Sequence, residues 1–431
     1  MEITALIITI VWIIWGTAKM KWHPFVVLLI AAFGLALALG EGAFDAVSLI
    51  NKGFGGTMSR IGLIILLGAM LGELLEKGGA TEVIAFKMVK GLKKLPTTYA
   101  MSLIGYVVAI PVFCDAAFIL LSPLTKSMSK NAKVSGKALT VALSTGLFAP
   151  HVLIPPTPGP LAAAATLGLN DLGLLILAGS ILALVLVLTG GWFATRMNRQ
   201  LQQVNPLEEL PEQEVEGSLA RAVLPIILPL LLIAGGTSLA GVEGWAEPWI
   251  KALSKPEVAL AVGVVVALGT AQRKVEQSSW ILNALRAGGP VLLITAMGGA
   301  LGGVLKLIDV AGWLEGMVLP GAFVLALPFT IAAVLKSAQG SSTVAIITTA
   351  SMMLPLLAPF GLDTELGKVW VILSLGVGAM TVSHANDSYF WIVSEMGGLS
   401  SDEAFRYHTR ATALQGVVGG LLVLLSGWIV L

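Results

Sequence analysis

Four short runs hold the residues that could do chemistry, and each interrupts an apolar stretch. Gln339-Gly340-Ser341-Ser342-Thr343 sets an amide, a glycine and a row of hydroxyls between apolar segments. The glycine permits a tight turn. The N–H groups of a helix starting beyond it, with the Ser and Thr hydroxyls, suit an anionic carboxylate. Ser383-His384-Ala385-Asn386-Asp387-Ser388 brings an imidazole, an amide and a carboxylate together. Asn386, Asp387 and Ser388 offer donors and acceptors to ligand hydroxyls, and His384 or Asp387 could exchange a proton. Residues 150–160 hold five of the chain's 20 prolines, with His151 and Thr157 as polar members, and helix cannot continue through Pro155-Pro156-Thr157-Pro158. Pro111-Val112-Phe113-Cys114-Asp115 places a carboxylate deep in apolar sequence, where Asp115 is suited to carry a proton.

Each run also has a purely structural reading. The hydroxyl cluster could pack helices or satisfy backbone. Asn386 or Asp387 could cap a helix, and Asp115 could cap one over 116–126. The prolines could form a rigid linker. Lys336 is expected to snorkel or to form a structural ion pair rather than to hold a ligand anion. His23 and His408 fall at predicted span ends and are expected at the membrane interface. His151 and His384 lack a third ligand at helical spacing, so no metal site is expected. No phosphate-binding motif appears, so ATP-driven chemistry is not expected either, and no cofactor.

The elements that must position these runs follow from composition. The chain has 431 residues, 56% hydrophobic and 12% charged, with mean hydropathy +0.90. A soluble protein of this size carries about 25% charged residues. Apolar runs of about 20 residues recur, long enough to span a bilayer, and they lack the alternation of a membrane β-barrel. The class is an all-α polytopic membrane protein. A net charge of +1 gives no sign of a nucleic-acid partner. Cys114 is the only cysteine, which excludes disulfides within the chain. The start, Met1-Glu2, has no positive region ahead of its apolar run and does not read as a cleaved signal.

The pattern predicts spans over 3–19, 24–41, 57–77, 136–166 and 171–194, with a re-entrant hairpin over 96–130. A polar loop, 195–220, then separates the halves. Spans follow over 221–240, 256–271, 280–307, 366–398 and 409–431, with a hairpin over 318–358. The domain division is 1–195, a cytoplasmic linker 196–220, and 221–431. In each half the penultimate span is broken, at 150–160 and at 383–388. The order of elements repeats, and 62–72 is similar to 291–302. Five crossings per half is odd, so the second repeat must be inverted. With both termini outside, Lys52, Lys251, Lys255 and Lys368 lie outside, and Arg60, Arg286, Lys306 and Lys336 lie at or within spans. The other eighteen of the 26 basic residues then fall inside, as the positive-inside rule requires. The bias holds only if neither hairpin crosses. Paired breaks in two inverted halves are the mark of a transporter's binding site.

These motifs resemble the gluconate permease family, of the GntP type, within the larger ion transporter superfamily. The resemblance rests on Gly53-Phe54-Gly55-Gly56-Thr57, Leu66-Leu67-Gly68-Ala69-Met70-Leu71-Gly72, 111–115, 155–160, 336–343 and 383–391, in family order over nearly the whole chain. It implies a bacterial inner-membrane importer of gluconate or related hydroxy acids with protons. It also implies an elevator-type motion of hairpins and broken helices against a scaffold, in a homo-oligomer (dimer or trimer). Tyr389 departs from the pattern, standing where gluconate members commonly have glycine. That suggests a smaller or differently shaped substrate, such as glycerate.

The combined expectation is symport of a small organic anion, a hydroxycarboxylate, with protons in preference to sodium. Gln339, Gly340, Ser341, Ser342 and Thr343 would hold the carboxylate. Asn386, Asp387, Ser388, Thr157, His151 and His384 would line the site. Asp115, Asp387, His151 or His384 would carry the proton. A carrier of D-serine or another small amino acid with the same fold is the nearer alternative, with Asp115 or Asp387 receiving the ammonium. A channel or membrane sensor is the remote one. No enzymatic activity is expected.

Overall fold

The computed structural model describes residues 2–20, 22–92, 94–132, 134–201, 217–238, 247–271, 277–305, 307–308, 321–385 and 387–431. Among them the chain is all helix and connecting turn, with no strand. This follows from the solvent: in lipid each backbone N–H and C=O must be satisfied within the segment, and helix does that locally. The first half runs α1 (Glu2–Ala18), α2 (Pro24–Ala38), α3 (Ala43–Lys77), α4 (Ala80–Gly91), α5 (Thr97–Ala109), α6 (Cys114–Ala132), α7 (Gly136–Leu153), α8 (Pro158–Thr166) and α9 (Leu172–Leu201). The second runs α10 (Leu219–Ser238), α11 (Glu247–Leu253), α12 (Pro256–Thr270), α13 (Gln277–Leu305), α14 (Ala326–Gln339), α15 (Ser342–Met353), α16 (Glu365–Met380), α17 (Ser388–Gly397) and α18 (Arg410–Val430).

Length and composition qualify four stretches among the described residues as crossings: 136–166, Leu172–Leu201, Gln277–Leu305 and 401–430. Two bent pairs, within Ala43–Lys77 and across Glu247–Thr270, would make six. Their burial sorts centre from rim. The apolar window in 136–166 is wholly enclosed, whereas α9 and α18 bury only 33% of theirs. Leu177, Ile181, Leu421 and Leu425 are accordingly exposed on α9 and α18, as a lipid-facing rim requires.

Several boundaries differ from the sequence expectation. Helix α3 begins at Ala43 rather than 57, and α9 continues to Leu201 rather than 194. The short helices α4 and α11 were not anticipated; they carry too many polar residues to read as spans. Residues 202–216 and 309–320, in the expected linker and at the expected start of the second hairpin, lie outside the described residues.

The early start of α3 has a packing cause. Its polar first half, 43–60, lies against α13 through small residues. A Cβ on Gly53 would sit 2.8 Å from Ala300 Cα and from Gly299 O, and one on Gly299 would run into Thr57 Oγ1. Close backbone approach of this kind is how membrane helices associate where hydrophobic burial supplies no drive.

Candidate functional site

The backbone breaks at each of the four polar runs, for local reasons. Helix α5 ends at Ala109 ahead of Pro111, and α6 starts at Cys114. Helix α7 ends at Leu153 and α8 starts at Pro158, because Pro155 and Pro156 have no N–H to donate. Gly340 ends α14 with φ +79°, a left-handed turn that costs glycine nothing. Ser341 then caps α15, its hydroxyl accepting from Val344 N at 3.3 Å. Helix α16 ends at Met380, and Asp387 caps α17 by accepting from Tyr389 N at 3.1 Å. Between them Val382 sits at φ +59°, a strained conformation for a β-branched residue, costing on the order of 1–3 kcal/mol. It is held by Ser383, whose N–H donates to Thr412 Oγ1 at 3.1 Å and whose carbonyl accepts from Thr409 Oγ1 at 2.6 Å.

Packing brings these breaks together. Lys336, in the last turn of α14, is paired directly with Asp387 in the break before α17. Its ammonium also donates to Gly340 O at 3.1 Å and lies 5.8 Å from the centre of the Phe148 ring on α7. Lys336 is 1% exposed and Asp387 4%, so the pair is sealed from solvent and lipid. Ser388 Oγ, at the start of α17, donates to Asp115 Oδ2 at 3.4 Å, joining the break between α16 and α17 to that between α5 and α6. Phe113 packs against the His151 ring at 6.1 Å, and Gly159 of α8 faces Ile346 of α15.

A second layer orients the pair. Ser383 Oγ donates to Asp387 Oδ2 at 2.6 Å and lies 3.1 Å from His408 Nε2. The hydroxyl has one proton, and Asp387 receives it, so His408 Nε2 must be the donor in the second contact. His408 Nδ1 is 3.1 Å from Ser144 Oγ on α7. Tyr389 donates to Ser144 O at 2.9 Å, and its ring packs against Phe148 at 5.2 Å and His408 at 5.7 Å.

The sequence expectations distribute over this geometry as follows. Asp387, Ser388 and Asp115 meet in one cluster, with Gly340 touching Lys336. Ser341, Ser342 and Thr343 form the partly exposed start of α15. Helix geometry leaves the N–H groups of Ser342 and Thr343 without acceptors inside their own helix. Thr157 is buried, with its hydroxyl donating to Ile154 O at 2.6 Å. His151 is 6% exposed, and its Nδ1 has no hydrogen-bond partner among the described residues. His384 is half-buried in the break between α16 and α17. Asn386 and the Gln339 side chain lie outside the described residues.

Three residues, His408, Ser383 and Ser144, were misread or missed. His408 is not interfacial: it is 0% exposed, because residues Ala404–Thr409 form a π-helical turn that feeds it inward. A π turn adds a residue to the helical repeat, which no periodicity of the sequence announces. Of the two expectations for Lys336, the structural ion pair is the one found, with Asp387, and the side chain does not snorkel. Ser383 and Ser144 carry the network and were passed over as ordinary hydroxyls. The one available signal was Ser383's place in the 383–388 run.

Cavities add little to this picture. A small apolar one, about 20 Å³, lies behind Pro111, Pro155 and Pro156. Another of about 100 Å³, lined by Ser218, Arg221 and Thr270, shares no lining residue with the four breaks.

Comparison with known proteins agrees with the motifs. The family model described as GntP family permease matches residues 1–429. The gluconate permease of Pseudomonas aeruginosa is 32% identical over 97% of this chain and 96% of its own. The D-serine transporter DsdX of Escherichia coli is 29% identical, covering 96% of each chain. In fold, the crystal structure of the Alcanivorax borkumensis YdaH transporter superimposes with a TM-score of 0.70 at 14% identity, covering 95% of this chain and 98% of that one. The resemblance read from the motifs is thus borne out, and the chain belongs to the GntP permease family of membrane transporters.

Proposed function

We propose that this permease imports a small hydroxycarboxylate, of the gluconate or glycerate kind, together with protons. The observation that carries this is the convergence of three breaks on the cluster of Lys336, Asp387, Ser388 and Asp115, with His151 of the fourth packed against Phe113 beside it. The substrate carboxylate sits at the start of α15, on the N–H groups of Ser342 and Thr343 and the hydroxyls of 341–343. Ser388, Asn386, His384 and the unpartnered His151 Nδ1 bind its hydroxyls, with Gln339 and Thr157 lining the same space. The proton resides on Asp115, Asp387, His151 or His384.

We further propose two inverted repeats, 1–195 and 221–431, that move as an elevator. Three features support the repeat. The paired helices α5 and α6 precede the broken α7 and α8, as α14 and α15 precede the broken α16 and α17. In both halves the first arm of the pair packs on the first part of the broken helix. Helices α3 and α13, in matching positions, pack on each other across the glycine seam. In this arrangement ten spans place both termini outside a bacterial inner membrane, and the unit is a dimer or trimer.

Uptake of gluconate, D-glycerate and D-serine into proteoliposomes, under imposed pH or sodium gradients, tests the proposal. Hydroxy-acid uptake driven by an inward proton gradient, acid outside, is expected. No uptake of either hydroxy acid refutes the substrate class, and uptake that follows sodium and ignores pH refutes the coupling. One observation favours a D-serine carrier as the second reading: Asp115 stands 3.4 Å from Ser388, a carboxylate available to an ammonium. Preferential D-serine uptake would select it.

A further inference from the structure

The Lys336–Asp387 pair contains an arithmetic constraint that bears on coupling. Lys336 is 1% exposed, and its described partners are Asp387, Gly340 O and the Phe148 ring. A buried ammonium needs a counter-ion, and a second buried carboxylate beside the same lysine would be left uncompensated. Yet the ammonium already touches Gly340 O, at the tip from which α15 starts. A carboxylate seated on the N–H groups of Ser342 and Thr343 would therefore arrive beside Lys336 while Asp387 still holds it.

Resting on the hydroxycarboxylate reading above, we propose that Lys336 pairs with one carboxylate at a time: that of Asp387 in the empty site, and that of the substrate in the loaded site. The exchange balances as follows. Asp387 takes up one proton and becomes neutral. Lys336 stays an ammonium and passes from Asp387 to the substrate anion. The lysine's charge is cancelled in both states, so neither the half-loaded site with an anion alone nor the one with a proton alone is compensated. With the charge on Asp115 constant through the cycle, obligatory coupling of one proton to one anion follows from this charge balance.

The other titratable groups around the pair are Cys114 and Asp115 on α6, His151 on α7, His384 in the break, Tyr389 on α17 and His408 in the π-helical turn. Asp115 bonds Ser388 and Cys114 and lies close enough to Asp387 and Lys336 to feel both charges, so the exchange requires Asp115 to hold one protonation state throughout. Ser383, oriented by His408 Nε2, is a positioning residue: it can donate to the Asp387 carboxylate, and it can accept from the carboxylic acid once Asp387 is protonated.

The test is calorimetric titration of the purified full-length permease with gluconate and D-glycerate between pH 5.5 and 8.5. Each titration is repeated in two buffers of different ionisation enthalpy, which counts protons. The wild type is expected to take up about one proton per anion, with Kd weakening about tenfold per pH unit on the alkaline side. Asp387→Asn and Asp387→Ser, both able to cap α17, are expected to take up no proton and to bind with a Kd flat in pH. Lys336→Gln is expected to lose about tenfold or more in affinity. An Asp387 variant that keeps the wild-type proton count and slope overturns the proposal, as does a Lys336→Gln protein with wild-type affinity. The two levels of failure separate. Wild-type protein that binds no hydroxy acid removes the underlying function. Wild-type uptake with protons that survives unchanged in Asp387→Asn removes only the exchange.

Discussion

The sharpest structural prediction concerns Ser383→Ala. Ser383 Oγ donates to Asp387 at 2.6 Å and lies 3.1 Å from His408 Nε2, in a region where Ser383 and His408 are both 0% exposed. The bond to a charged acceptor contributes about 1.5–3 kcal/mol, and stranding the buried Nε2–H adds about 1–3 kcal/mol. Asp387 keeps Lys336 and the Tyr389 N–H, so the low end of the sum applies, about 2.5 kcal/mol. His408→Phe removes the stranded donor. The double variant Ser383→Ala/His408→Phe should therefore be more stable than the two single losses predict, by at least about 1 kcal/mol. Unfolding titrations in mixed detergent–SDS micelles, followed by tryptophan fluorescence, measure all four corners of the cycle. Additive losses, or a Ser383→Ala protein within about 0.5 kcal/mol of wild type, would show that serine, imidazole and carboxylate do not act as one network.

Three further outcomes are expected. Gly299→Ala should destabilise by about 1–3 kcal/mol through overpacking against Thr57; Thr57→Gly in the same chain should restore more than Thr57→Ala, because the Thr57 Cβ alone would still stand 2.9 Å from the new methyl. The same micelle titrations rank the variants, and an equal rescue by both would refute the seam. Tyr389→Phe removes the 2.9 Å bond to Ser144 O but keeps the ring packing, so stability should fall by about 1 kcal/mol while the ratio of gluconate to glycerate uptake stays constant. A changed ratio would mean that the phenol reaches substrate. Glu365 accepts from the backbone of Asn170 and Asp171, each at 2.9 Å, and pairs with Lys368 at 3.2 Å, but its side chain is 37% exposed. Glu365→Gln should therefore lower stability by less than about 1 kcal/mol, with the difference shrinking at about 1 M salt; a larger, salt-insensitive loss would contradict that.

The features legible in the sequence are those with short-range causes. Hydropathy sets the membrane class, because lipid admits only internally bonded backbone. Pro155 and Pro156 stop α7, Gly340 turns between α14 and α15, and Asp387 caps α17, each through groups within a few residues. The family motifs lie in these same runs, which is why the resemblance could be read without coordinates. The boundaries of α3 and α9 were harder to place, since polar helix is stabilised by neighbours and hydropathy does not register it.

Which of the exposed or buried groups meet could not be read the same way. Lys336 and Asp387 are 51 residues apart, Ser388 and Asp115 273, and Ser144 and His408 264. Composition makes a buried charge expensive, so it demands a partner for Lys336, but only the packing of α14 against the break before α17 chooses Asp387. Likewise only the π-helical turn carries His408 from a nominal span end into the core. The sequence by itself determined the solvent, the breaks and the inventory of groups at them, because those depend on bonds within one or two helical turns. The tertiary structure alone decided the pairing of charges and the second layer behind it, because contacts between distant segments depend on how whole helices pack.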